Sequence, residues 1–201
     1  MPNRYDSPAD ALDVLIEGNR RFASGASMHP HADPAWVAAQ GAREQHPFAA
    51  VLACSDARVP VEVIFDCGVG DLFVVREAGN VCGTLAAASL EYAVDVLHCQ
   101  LIVVMGHSLC GAIAAACDDE RRSDTLEALL HPIRETARSE RGKPDERAFE
   151  ERVIDANVRR SAWDLERASP AVCRAREDGR VAIVGGVYDL ATGTVRWLGD
   201  R

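Results

Sequence analysis

The chain has 201 residues, of which 48% are hydrophobic and 26% are charged, as is typical of a globular protein with a full hydrophobic core. The formal net charge is −9 and the chain has no cluster of Lys or Arg, which argues against nucleic acid as a partner. No apolar run approaches the roughly 20 residues of a membrane-spanning helix, and none follows residues 1–6 as a signal peptide would require.

The seven cysteines are odd in number and lie within apolar segments rather than in a short disulfide framework. This usage is typical of a reducing compartment and predicts a cytoplasmic location. Five of the cysteines are predicted to be plain core or subsurface thiols: Cys67, Cys82, Cys99, Cys117 and Cys173.

The first predicted element is a helix with Ser7 as its N-cap and Pro8 in its first turn. Apolar residues follow at helical spacing until Ser24-Gly25 ends the helix. Residues 25–35 contain Gly and Pro and are predicted to be a connector, after which residues 36–39 form a short helix. Nothing in the first helix itself indicates what it packs on, and a helix folded back on its own domain is one alternative.

Alternating strands and helices are predicted along the rest of the chain. The predicted strands cover residues 48–53, 72–76, 101–105, 181–185 and, as a last edge strand, 195–198. The first three are continuous apolar runs and are expected to be buried. The predicted helices cover residues 59–65, 84–97, 109–117, 145–168 and 170–178, and the charged stretch 118–152 is mostly helical. Helix 84–97 carries an apolar stripe of Leu85, Ala88, Tyr92 and Val96, which is expected to face the core. The pattern predicts one α/β domain over residues 1–201, with a mainly parallel four-stranded sheet, a C-terminal edge strand and flanking helices.

Two of the predicted strands are followed directly by metal-ligand side chains. Cys54 follows strand 48–53, and His107 and Cys110 follow strand 101–105. Because the carboxyl ends of neighbouring parallel strands converge, these three residues can meet, and the His-x-x-Cys spacing would place two of them on one face of a helix. Two thiolates and one imidazole form a zinc-type set with an open fourth position. The alternative is two ordinary buried thiols and a hydrogen-bonded core histidine.

Two motifs carry a family resemblance. Cys54-Ser55-Asp56-Ala57-Arg58 and Gly106-His107-Ser108-Leu109-Cys110-Gly111-Ala112 resemble the zinc motifs of the β-class carbonic anhydrases. The similarity also includes residues 11–12, 18–22, 73–80, 89–94 and 184–189.

The resemblance implies one Zn²⁺ per subunit, bound by Cys54, His107 and Cys110, and reversible hydration of carbon dioxide to bicarbonate and a proton by attack of zinc-bound hydroxide. It further implies a homodimer or homotetramer in which the N-terminal helical arm, residues 1–35, packs on a second subunit. The same site could instead turn over carbon disulfide or carbonyl sulfide, and a non-catalytic zinc-binding module is a third alternative.

Roles for further residues also follow from the resemblance. Asp56 and Arg58 would be a catalytic pair in which Arg58 holds the carboxylate. Asp56 could instead become a fourth metal ligand. A third alternative is a salt bridge that only fixes the turn. Gln45, Phe73 and Gly111 would line the substrate pocket. Two thiolates cancel the charge of Zn²⁺, so activity is expected to rise into the alkaline range.

Three positions depart from patterns within that family. One subgroup uses Trp and Gly three residues and one residue before the first zinc Cys in an inhibitory bicarbonate site, and here Val51 and Ala53 occupy these positions. No such regulation is therefore expected. Glu77 stands where the family more often has Asn, a departure that concerns the geometry near Arg76 and not the zinc ligands.

Overall fold

The computed structural model describes residues 5, 7–41, 43–118 and 120–199, so Asp6 and the first four residues of the predicted arm lie outside the described residues. Five strands form one sheet: β1 (Ala49–Ala53), β2 (Leu72–Arg76), β3 (Leu101–His107), β4 (Ala182–Tyr188) and β5 (Val195–Trp197). The helices are α1 (Pro8–Ala23), α2 (Pro34–Gln40), α3 (Val61–Ile64), α4 (Thr84–Asp95), α5 (Gly111–Cys117), α6 (Asp124–Glu140), α7 (Phe149–Ala168) and α8 (Pro170–Glu177).

The sheet has the strand order β2-β1-β3-β4-β5. Its first four strands are parallel, and β5 pairs antiparallel with β4. The predicted α/β fold with a mainly parallel sheet and a C-terminal edge strand is therefore confirmed. The strand order reverses between β1 and β3, and in such sheets a crevice opens at the carboxyl ends of the two strands on either side of this point.

Apolar side chains cover both faces of the sheet. Along β1, Ala50 and Leu52 belong to the cluster that packs under α4 to α8, whereas Ala49, Val51 and Ala53 belong to the cluster under α1 and α3. Every residue of β1 and β3 is buried. The two strands that deliver the predicted metal ligands are thus the central strands of the core.

Helix α1 packs against its own chain. An added Cβ at Gly18 would lie 1.9 Å from the carbonyl oxygen of Phe65. Asn19 Nδ2 donates to the Gly193 carbonyl at 2.9 Å, and Asn19 Oδ1 accepts the Val195 N–H at 2.8 Å. The alternative that the first helix folds back on its own domain therefore holds for the face of α1 that carries Gly18 and Asn19. Contact between the arm and a second subunit stays a prediction, and within α1 only the exposed face is available for it.

Two expectations about burial were wrong for the single chain. Strand β2, predicted to be buried, lies at the sheet edge and is at most half-buried. The stripe on α4 faces outward, with Leu85 80%, Tyr92 45% and Val96 54% exposed. The face that packs on the sheet instead consists of Ala86, Ala87, Leu90, Ala93 and Val94. Alanines allow the helix backbone to approach the sheet closely, and an apolar pattern on both sides of a helix does not show which side is buried.

Several element boundaries also differ from the prediction. Strands β3 and β4 run two and three residues further than expected, because their pairing continues to His107 and Tyr188. As a result α5 begins at Gly111, two residues later than predicted. Separately, α7 begins at Phe149 instead of residue 145. Within the described residues, no helix combines the length and apolar character needed to cross a membrane.

Candidate metal centre

The three predicted metal ligands lie at the carboxyl ends of the two central strands. Cys54 follows Ala53, which pairs with Met105, and His107 is the last residue of β3. Cys110 is the N-cap residue of α5. The expectation that His107 and Cys110 share one helix face was wrong, since a strand end and a helix start contribute one each. The convergence of all three residues is present.

The ligand atoms of Cys54, His107 and Cys110 all lie within 4.8 Å of one another. The two sulfur atoms are 3.9 Å apart. Two sulfur ligands of one tetrahedral zinc ion would be about 3.8 Å apart, which is nearly the same distance. His107 Nδ1 is 2.9 Å from the Ser108 carbonyl oxygen, which can only accept, so Nδ1 carries the proton. His107 Nε2 is buried and has no hydrogen-bond partner among the described residues. A buried histidine with a purely structural role would be expected to have both ring nitrogens hydrogen-bonded. A free lone pair on Nε2 beside two sulfur atoms instead fits a ligand for a cation.

The two sulfur atoms strongly affect each other's ionisation. The hydrogen bond with Cys110 is the main cause that lowers the pKa of the Cys54 thiol, although burial opposes it. The same contact, together with burial, raises the pKa of Cys110 far above the ordinary value. Cys54 is therefore the more easily ionised of the two thiols, and a cation between the sulfur atoms would require both to be deprotonated. By contrast, burial raises the pKa of Cys82 and Cys99 to about 12, so those thiols stay protonated.

A carboxylate and a guanidinium lie beside the three ligands. Arg58 Nε and Nη2 donate to the two carboxylate oxygens of Asp56 at 3.0 and 2.8 Å, and the Arg58 backbone N–H donates to Oδ1 at 2.9 Å. These side-chain bonds are the main cause that holds the pKa of Asp56 well below its usual range. Asp56 Oδ2 is 3.9 Å from His107 Nε2, yet the carboxylate is not part of the ligand group. The carboxylate thus faces Arg58 and lies outside the group of three ligand atoms.

The turn that carries Cys54 and Asp56 is fixed from β2. Arg76, the last residue of β2, donates from Nε to the Cys54 carbonyl at 3.1 Å and from Nη2 to the Asp56 carbonyl at 2.6 Å. Arg58 Nη2 also donates to the Leu109 carbonyl at 3.3 Å. Arg76 lies in a segment that resembles the β-class family, but nothing in the sequence around it indicates its contact with this turn.

Two residues near Cys54 were missed as site residues. The Gly79 N–H donates to Cys54 Sγ at 3.3 Å. Asn157, on α7, donates from Nδ2 to the Gly79 carbonyl at 2.8 Å. Gly79 belongs to a segment that matches the β-class family, which could have drawn attention to it. Asn157 is 78 residues away in sequence, and no spacing pattern links the two.

The predicted substrate-lining residues are placed differently from one another. Gly111, the first residue of α5, adjoins Cys110, and an added Cβ there would meet no atom within 4 Å. Phe73 is half-buried near the start of β2, pairs with Ala50, and has its ring 6.2 Å from that of Tyr92. Gln45 is exposed and precedes β1, at the opposite end of that strand from Cys54. The single chain does not bring Gln45 to the ligand group, so its substrate role stays a prediction.

Comparisons with known proteins show which family the sequence resembles. The family model described as carbonic anhydrase matches residues 49–195. The carbonic anhydrase of Mycolicibacterium smegmatis is 37% identical, over 100% of this chain and 98% of the relative. Carbonic anhydrase 2 of Mycobacterium tuberculosis is 38% identical, over 96% of this chain and 93% of the relative.

Solved structures show the same fold. A tetrameric β-carbonic anhydrase from Sordaria macrospora superposes with a TM-score of 0.73 and 25% identity, over 94% of this chain and 98% of that chain. A Coccomyxa β-carbonic anhydrase in complex with acetazolamide gives a TM-score of 0.73 and 27% identity, over 93% of this chain and 86% of that chain. With two relatives above 30% identity and the matching architecture, the chain belongs to the β-class carbonic anhydrase family.

Proposed function

We propose that this protein catalyses the zinc-dependent, reversible hydration of carbon dioxide to bicarbonate and a proton. One observation carries the proposal: two sulfur atoms and the unpartnered His107 Nε2 converge at the switch point of the sheet, with the Asp56–Arg58 pair beside them. Three ligands with an open fourth position are typical of catalytic rather than structural zinc sites. A purely structural module would have no need of a carboxylate held away from the metal position.

Each side chain of the site has a separate task. Cys54, His107 and Cys110 would hold one Zn²⁺ per subunit. When bound, zinc lowers the pKa of a water molecule and thereby supplies hydroxide near neutral pH. Asp56 would accept a hydrogen bond from the oxygen nucleophile and so direct a lone pair of that oxygen towards carbon dioxide. Arg58 keeps the carboxylate ionised and turned away from the metal position, because its fork binds both carboxylate oxygens.

The similar proteins are named carbonic anhydrases. This supports carbon dioxide, rather than carbon disulfide or carbonyl sulfide, as the substrate. The molecule is small and linear, so a few apolar walls suffice to hold it. Gly111 would form one such wall, since its missing side chain leaves space next to Cys110. Phe73 and Gln45 lie away from the ligand group of their own chain, and they would line the substrate pocket only in the oligomer.

A homodimer or homotetramer is the proposed form of the enzyme. The outward stripe of Leu85, Tyr92 and Val96 adjoins β2, whose outer edge has no strand beside it within the described chain. An apolar surface next to an unpaired strand edge is a natural site for a second copy. The similar Sordaria macrospora enzyme is tetrameric. A second copy would also allow Gln45 to reach the metal centre of the neighbouring subunit. The N-terminal arm would pack on that subunit.

A reducing compartment, and specifically the cytoplasm, is the proposed location. All seven cysteines lie among the described residues and are free thiols. An oxidising compartment would put such thiols at risk, whereas a reducing one keeps the two ligand cysteines available for metal.

The proposed function is tested by metal analysis together with stopped-flow hydration of carbon dioxide. The wild type should hold one Zn²⁺ per subunit and hydrate carbon dioxide, and Cys110→Ala should lose both properties. Cys99→Ala is the matched control, because Cys99 and Cys110 are both 3% exposed but only Cys110 belongs to the ligand group. Bound zinc without hydration activity at pH 9 would refute the enzyme, and faster release of sulfide from carbon disulfide would identify a different substrate.

A further inference from the structure

We infer that Asn157 is a positioning residue for the metal ligand Cys54 and acts on it through Gly79. The inference rests on the proposed function, since it assigns a task toward the metal that Cys54 would bind. The contacts run in series. Asn157 Nδ2 donates to the Gly79 carbonyl at 2.8 Å, and the Gly79 N–H donates to Cys54 Sγ at 3.3 Å.

The place of Asn157 in the fold supports a specific task. Its side chain lies on the buried face of α7 and is 2% exposed. An amide in such a position costs stability unless it is hydrogen-bonded, and an apolar side chain would fill the same space without this requirement. Its partner is a backbone carbonyl in the turn that contacts Cys54, far from α7 in sequence. The residue therefore links the packing of a helix to the position of one sulfur atom.

Gly79 can transmit this link because its backbone is held from several sides. Its φ is +67°, a conformation that side chains disfavour. An added Cβ would lie 2.7 Å from Ile133 Cδ1 and 3.2 Å from Ala112 Cβ. The turn thus fits closely between α5 and α6, and the bond from Asn157 fixes the direction of its carbonyl. With both constraints in place the Gly79 N–H points at Cys54 Sγ.

The bond from Gly79 to the sulfur has two effects on a metal ligand. It restricts the direction in which the thiolate lone pairs point, and an N–H donor aimed at the sulfur stabilises negative charge there. Hydrogen-bonding partners around a metal ligand commonly contribute 10- to 100-fold in metal affinity or activity. Asn157 would control that contribution without touching either the metal or the substrate.

The experiment compares Asn157→Leu with the matched control Asn19→Leu. Both asparagines are buried on a helix, and both donate from Nδ2 to a glycine carbonyl, but Asn19 binds Gly193, outside the ligand group. The Zn²⁺ dissociation constant is measured by competition with a chelator, on samples shown by circular dichroism to be folded. The thiolate-to-metal charge-transfer band of the Co²⁺-substituted protein is measured as well.

Asn157→Leu is expected to weaken Zn²⁺ binding by about tenfold or more and to shift the Co²⁺ band, while Asn19→Leu changes neither. Equal changes in the two variants, or none in Asn157→Leu, would overturn the inference. If Asn157→Leu does not fold, Asn157→Ser replaces it, because a helical serine can bond to its own preceding turn. A wild type that binds no Zn²⁺ would instead overturn the proposed function itself.

Discussion

Gly79→Ala is the substitution that tests the geometry of the centre most directly. A left-handed backbone conformation costs an alanine about 1–2 kcal/mol relative to glycine. The added Cβ would also lie 2.7 Å from Ile133 Cδ1, the flexible end of a side chain, and 3.2 Å from Ala112 Cβ, which cannot rotate away. Crowding of this kind typically costs about 1–3 kcal/mol, and the low end applies because Ile133 can move. The expected loss in the free energy of unfolding is therefore about 2–3 kcal/mol.

Urea unfolding followed by circular dichroism measures this loss, with the same free Zn²⁺ concentration in all samples because a bound ligand adds its own stability. The control is Gly41→Ala: Gly41 has a φ of −62°, and an added Cβ there would make only an ordinary contact at 3.5 Å. That variant should stay within about 0.5 kcal/mol of the wild type. Equal losses in the two variants, or less than about 1 kcal/mol in Gly79→Ala, would refute the geometry given for the turn.

Three further predictions concern activity and pH. Arg58→Ala should retain Zn²⁺ but lower kcat/KM for hydration by about 10²- to 10⁴-fold, since Asp56 would lose the fork that orients it; stopped-flow kinetics with metal analysis checks this. In the wild type kcat/KM should rise into the alkaline range, because two thiolates cancel the charge of Zn²⁺, and a profile already flat below pH 6 would contradict that reasoning. Burial raises the pKa of the Asp66 carboxyl, but Arg21 and two backbone N–H groups lower it more, to a net value below the usual range. The stability that this carboxylate contributes is present above about pH 4 and is lost as the pH falls further. Asp66→Asn should therefore have a lower free energy of unfolding than the wild type at pH 7. Urea unfolding measured at decreasing pH should show this difference become smaller.

The ligand set could be predicted because its information is local in the sequence. Each of the two central strands is a continuous apolar run, and each is followed within a few residues by a sulfur or imidazole ligand. The convergence then follows from the rule for parallel sheets, whatever the details of helix packing. The Asp56–Arg58 pair was accessible for the same reason, since residues two apart in one turn need no knowledge of the rest of the fold.

Burial on the outside of the sheet could not be predicted in the same way. Helix α4 is apolar on two sides, so periodicity gives the correct helix but not the side that packs. The position of β2 at the sheet edge depends on the strand order, which its own five residues do not encode. Both errors concern the surface on which a second copy is proposed to bind, and an apolar stripe that is buried only in an oligomer has the same pattern as one buried in a monomer.

The contacts behind the ligands depend on helix packing, and this dependence has a consequence for the site. Cys54 and His107 are fixed by the central strands, whose hydrogen-bonded register leaves little freedom. Asn157 reaches Gly79 only if α7 packs on the sheet at the right depth and rotation, which a small change in the core under α7 would alter. Substitutions in that core should therefore lower the affinity for metal even when the three ligand side chains remain close together. The affinity of the centre is, on this reasoning, more sensitive to the packing of α7 than the identity of its three ligands suggests.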